Sequence, residues 1–132
     1  MFTVLHTHRH RANSQLPPWL IVGADSRSAL ATENVLSKLG WPVVGPFAEP
    51  DTALPLARKY RLSGAVLDLN AGTKSLYVLA DALVGRHIPF LFIVDTGQHE
   101  LRWDFRNAPC LSRTFLTERL RPMLRELVLT EV

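Results

Sequence analysis

The sequence predicts a three-layer α/β fold, a parallel sheet covered by helices on both faces. Short apolar runs alternate five times with longer amphipathic segments, as a chain of strand–helix units requires. The runs are apolar throughout instead of alternating with polar residues, which marks strands buried on both faces. At 132 residues the chain fits one such domain, and a chain of that size can bury roughly two-thirds of its unfolded surface.

The elements follow in order. Trp19–Val22 is a continuous apolar run of strand length. Ser26 can cap a helix over residues 26–39, with Ala29, Thr32, Leu36 and Leu39 on one face and Gly40 as terminator. Residues 42–44 form the second strand, closed by Gly45-Pro46. A helix over 51–60 tolerates Pro55 near its first turn. The third strand, 64–69, is interrupted by one charge, Asp68. A helix over 74–84, an apolar strand over 88–94, a short irregular helix over 99–105 and a strand over 109–111 follow. The last helix covers 115–128, and Pro122 makes it either kinked there or late in starting. The domain is thus expected over 19–130, after a flexible tail over 1–18.

Composition narrows the function classes. The single cysteine, Cys110, allows no intrachain disulfide and no cysteine metal cluster, and its apolar neighbours suggest a buried, inert thiol. The start of the chain lacks the long apolar core of a secretion signal, and no stretch approaches the roughly 20 apolar residues of a membrane span. A cytoplasmic, non-membrane protein is expected. His6, His8 and His10 alternate as metal ligands on a strand would, but they sit in a basic, turn-rich segment ending at Pro17 and Pro18. The formal charge of +3 owes two units to Arg9 and Arg11; from Trp19 onward 13 basic residues face 12 acidic ones. No helix carries a basic stripe with base-reading side chains, so no nucleic-acid partner is expected.

In an open parallel sheet, ligands bind beyond the carboxyl ends of the strands. Gly23, Ala24 and Asp25 lie at the first strand end, Asp68 and Asn70 at the third, Val94 and Asp95 at the fourth, and Arg113 beyond the fifth. Asp68, between Leu67 and Leu69, is costly to bury without compensation, and Arg113 is the obvious partner. Two readings stand: a structural ion pair, or a nucleophile for a phosphoryl group. No histidine or cysteine nucleophile stands beside an acid at a strand end, and no phosphate-cradling glycine pattern follows the first strand, so an enzyme is not expected.

The motifs LGWPVVGP (39–46), AVLDLN (65–70), ADAL (80–83), IPFLF (88–92) and FRNAPCL (105–111), with Gly72, Ser75 and Arg113-Thr114-Phe115, resemble the response-regulator receiver (CheY-like) family. The resemblance implies a flavodoxin-like sandwich with a five-stranded parallel sheet in 2-1-3-4-5 order, part of two-component phosphorelay signalling. It makes Asp68 the candidate phosphoacceptor and the backbone at Asn70 a magnesium ligand. The departures are as informative. The family's acidic pair is Gly23-Ala24 here, with Asp25 one position later and differently directed. The phosphoryl-sensing hydroxyl is replaced by Val94, and the lysine–proline pair by Arg113-Thr114. A hard divalent cation wants several oxygen ligands. A degenerate pocket without a cofactor is therefore the expectation, with Arg113 bonded to Asp68 in place of metal and phosphate. The alternative is a conventional regulator in which Mg2+ is held by Asp68, Asp25 and Asn70, with Asp95 nearby.

The resemblance also implies where partners bind: the face of the fourth helix, fifth strand and fifth helix, here Arg102, Trp103, Arg106, Arg119 and Arg121. Trp103 is out of helical phase with Leu101 and Phe105. It is either an exposed anchor, a type enriched at hot spots, or a core residue of an irregular helix. The expected partner is a protein, a histidine kinase or phosphotransfer protein, or a second copy through the same face.

Overall fold

The computed structural model describes residues 16–130. His6, His8, His10, Arg9 and Arg11 lie outside the described residues. Five strands, β1 (Trp19–Val22), β2 (Val43–Phe47), β3 (Gly64–Asp68), β4 (Phe90–Val94) and β5 (Cys110–Ser112), form one parallel sheet in the order β2-β1-β3-β4-β5. Helices α1 (Ser26–Lys38) and α4 (Leu116–Thr130) cover one face; α2 (Pro50–Lys59) and α3 (Thr73–Gly85) cover the other.

Alternation along the strands divides the core. Trp19, Ile21, Val66, Leu91 and Ile93 pack toward α1 and α4, while Leu20, Val22, Ala65, Leu67, Phe90 and Phe92 pack toward α2 and α3. Gly64, opposite Trp19 in the β1–β3 register, leaves the space the indole fills; a Cβ there would collide with the ring. Pro17 and Pro18, read from sequence as the end of the tail, both accept hydrogen bonds from Ser63, through its hydroxyl and its backbone N–H. Among the described residues, no helix is long and apolar enough to cross a membrane.

Several boundaries depart from the sequence reading. The N-cap of α1 is Asp25 and not Ser26: its carboxylate accepts from the Arg27 N–H at 3.2 Å and the Ser28 hydroxyl at 2.8 Å. β2 runs on through Gly45-Pro46 to Phe47. Gly45 has φ of 107°, and a Cβ there would stand 2.6 Å from the Ile21 carbonyl oxygen, so only glycine passes this irregularity. Pro55 lies inside α2, past its first turn, and α4 continues through Pro122 without a late start. The largest departure follows β4. Instead of a helix, two 3-10 turns occupy Gln98–Glu100 and Trp103–Phe105. Leu101, which follows the first turn, and Phe105, which ends the second, enter the core, while the Glu100 carboxylate gathers the backbone N–H groups of Asp95, Thr96 and Gly97 into a loop.

Candidate functional site

Asp68 ends β3 with its side chain only 3% exposed. Its Oδ1 accepts the Asn70 backbone N–H at 3.0 Å, capping a 3-10 turn over Leu69–Ala71. Arg113 opens another 3-10 turn, Arg113–Phe115, directly after β5. From there its guanidinium donates Nη1–H to Asp68 Oδ2 at 2.7 Å and Nη2–H to Asp68 Oδ1 at 2.9 Å. This is the two-pronged geometry a planar guanidinium offers a carboxylate, and lysine could not reproduce it.

The same guanidinium reaches two more strand ends. Nε donates to Asp95 Oδ1 at 3.2 Å, and Nη1 stands 3.5 Å from Asp25 Oδ2 and 3.2 Å from the Ser28 hydroxyl. One cation thus ties the segments after β1, β3, β4 and β5 together. Hydrogen bonding to Asp68, with its charge and that of Asp95, raises the Arg113 pKa above its ordinary value despite partial burial. The Asp25 carboxyl is lowered, chiefly by the Ser28 hydroxyl.

The other strand-end residues fall differently. Val94 is buried in the core. Asp95 is exposed and also accepts from the Asn70 side-chain amide at 3.3 Å. Gly23 and Ala24 line a cleft between the start of α1 and the end of β2, with Leu30 and Pro46. A Cβ on Gly23 would stand 2.9 Å from the Asp68 Cβ, closer than two such atoms come without something shifting. Cys110 is partly buried, not fully, and burial pushes its thiol up, followed by the charge of Glu100.

Three residues of this region were not singled out from sequence. Ser28, three positions after Asp25, is buried beneath the cluster; its spacing from an acidic cap was the available signal. Glu100 holds the loop after β4, accepting backbone N–H groups of Asp95, Thr96 and Gly97 and the Thr96 hydroxyl. These bonds, the Thr96 hydroxyl first, lower its pKa to about 2. Its position three residues after Gly97 matches the glutamate of a capped turn. The Tyr77 hydroxyl accepts the Arg102 N–H at 2.7 Å, a contact that sequence spacing does not reveal.

The divalent cation implied by the resemblance does not fit this donor set. Both Asp68 oxygens are engaged by a guanidinium, whose charge would oppose a second cation. An acidic side chain at position 23 would bring its Cβ to 2.9 Å from the Asp68 Cβ, so it could not enter without a shift of Asp68 or the backbone. Among the described residues, no group of three or more His, Cys, Asp or Glu is arranged to hold a metal.

Around β5, Trp103 is 78% exposed, which decides for the exposed reading. Its neighbour Arg102 is pinned by Asp104 at 2.6 Å and Asp81 at 3.3 Å and lies over the Tyr77 and Phe105 rings. Arg119 stacks over the half-exposed Phe115. Arg119 and Arg121 do not share a face: they flank opposite sides of the buried stripe Leu116, Leu120 and Leu124. Arg121 goes with Arg125 and Thr117 on the α1 side, where Thr117 and Arg125 line clefts with α1 or the segment after it.

No protein-family model matches the chain, and neither does any curated protein sequence. Solved structures do. The solution structure of SdrG from Sphingomonas melonis Fr1 is 30% identical, with a TM-score of 0.72, over 87% of this chain and 98% of that one. A response regulator receiver protein from Sinorhizobium medicae WSM419 is 15% identical with a TM-score of 0.74, over 89% and 98%. The receiver domain of a sensor histidine kinase from Pseudomonas aeruginosa PAO1, solved with magnesium in its active-site cleft, is 19% identical with a TM-score of 0.68, over 85% and 97%. Sheet order, the placement of Asp68 and these likenesses agree: the chain belongs, as a divergent member, to the CheY-like response-regulator receiver family of two-component phosphorelay signalling, which is not a class of independent enzymes.

Proposed function

We propose that this receiver acts as a signalling module through protein contact, with phosphorylation of Asp68 weak or absent. The observation that carries this is the paired bond from Arg113 to both Asp68 oxygens. An attacking carboxylate must present a free oxygen in line with the phosphoryl group and needs cations on that group's own oxygens. Here the available cation is spent on the nucleophile. Freeing Asp68 would cost two charge-assisted hydrogen bonds, each worth about 1.5–3 kcal/mol net. Output then falls to the surface around Trp103, with a histidine kinase or phosphotransfer protein as the upstream partner the family implies.

Radiolabelled acetyl phosphate with magnesium tests the reading directly. The chain should take up no label above that of a D68N variant. Near-stoichiometric uptake that D68N abolishes would make this a conventional magnesium-dependent regulator instead.

A further inference from the structure

We infer that the end of the sandwich where the strands begin rests on an anionic lipid surface. The near balance of charge from Trp19 onward conceals a separation. The segments that close the four helices, 35–42, 56–63, 83–89 and 124–128, carry six permanent cations, Lys38, Arg58, Lys59, Arg61, Arg86 and Arg125, and one carboxylate, Glu126. All six cations are exposed, and none makes an ion pair among the described residues. Asp25, Asp68, Asp95 and Glu100 gather instead at the opposite end, where strands finish.

Hydrogen bonds join these segments into one surface. Trp19 N–H donates to the Pro42 carbonyl at 2.9 Å, Ser63 N–H to that of Pro18 at 2.9 Å, and Ala65 N–H to that of Pro89 at 3.0 Å. The Arg86 guanidinium donates to the Ala57 carbonyl at 2.8 Å, which sets the end of α3 beside the end of α2. Arg125 and Val128 share a cleft with Leu39 and Trp41, so α4 ends beside α1.

One cation per helix C-terminus would answer the macrodipole. Arg58, Lys59, Arg61 and Arg86 instead crowd the end of α2, where like charges repel unless an anion lies against them. Apolar groups interleave with them. Tyr60, 59% exposed, lies between Lys59 and Arg61. Val84 is exposed in the last turn of α3, as is Leu16 beside Pro17, which the Ser63 hydroxyl holds. A ring, two aliphatic side chains and long cationic stems suit the boundary between headgroups and acyl chains. A nucleic acid would use the cations and the ring but leave the aliphatic chains unpartnered. An acidic protein would have to match cations spread over four helix ends, whereas lipid headgroups rearrange to meet them. Such attachment needs no membrane-spanning helix.

The test is co-sedimentation of the full chain with vesicles of phosphatidylcholine containing about one-third phosphatidylglycerol, and with phosphatidylcholine alone. Binding is expected to the first only, weakening on the order of tenfold between about 0.05 and about 0.5 M salt. Each cation is worth roughly fivefold in partitioning, so K59E should weaken binding about twenty-five-fold and R58E/R61E several hundredfold. R27E, at the opposite end, should leave it unchanged. Equal binding to both vesicles, binding to neither, or undiminished binding by K59E overturns the inference. So does tighter binding of oligothymidylate or of polyglutamate, which would give this end to nucleic acid or to an acidic protein. None of these outcomes depends on Asp68, so labelling by acetyl phosphate judges the contact-module reading separately.

Discussion

Replacing Arg113 by alanine should destabilise the fold by about 3 kcal/mol. Removing one partner of a buried ion pair costs about 3–5 kcal/mol, because the other charge is left without compensation. Asp68 has nowhere else to turn: at 3% exposure it keeps only the Asn70 N–H. That remaining bond, and the entry of water where the guanidinium stood, place the cost at the lower end of the range. Against a total stability of about 5–15 kcal/mol the loss is large. D68A should cost less, about 1–2 kcal/mol, since Arg113 is 23% exposed and retains Asp95 and Asp25. Urea denaturation of the two single variants and the double variant closes the cycle. The double variant should lose about 2 kcal/mol less than the sum of the singles. R113K should recover part of the loss, because it restores the charge but not the fork. If R113A fell within about 0.5 kcal/mol of the parent, or the two losses simply added, the bond would not be a standing one.

Two other perturbations probe the same end of the sheet. G23A should cost about 1–3 kcal/mol by forcing a Cβ onto that of Asp68, and G23D should gain no magnesium affinity in calorimetry while Arg113 is present. The Glu100 carboxyl is lowered from 4.5 to about 2. A depressed folded-state pKa stabilises above the unfolded value, and that contribution is lost as pH falls from about 4.5 through about 2. Protection of the Asp95, Thr96 and Gly97 amides, measured against their intrinsic exchange rates, should therefore fall across that window, and in E100Q it should be low already at neutral pH.

The sheet was legible because its strands are unbroken apolar runs, and Asp68 was legible because it is the one charge inside them. Arg113 could be named as its partner because a buried carboxylate requires one, and only topology was needed to bring the two strand ends together. The region after β4 resisted reading for a physical reason. Leu101 and Phe105 have a helix's spacing, but the loop is set by Glu100 gathering three backbone N–H groups, a local capping arrangement that apolar periodicity does not encode. Likewise Arg119 and Arg121 read as one basic patch in sequence and separate once the buried stripe of α4 is fixed. The course of β2 past Gly45-Pro46 depends on a positive φ and on the Ile21 carbonyl beside it, neither of which a turn-like dipeptide announces.

The most direct test of a silent pocket is a two-dimensional amide NMR spectrum recorded with and without magnesium and beryllofluoride. An unchanged spectrum at about millimolar magnesium, with Asp68 and Arg113 resonances unmoved, is the result expected of a carboxylate already held by its own arginine. Shifts centred on Asp68 that spread through Arg113 and Asp95 to Trp103 would contradict it and show a working phosphoryl switch.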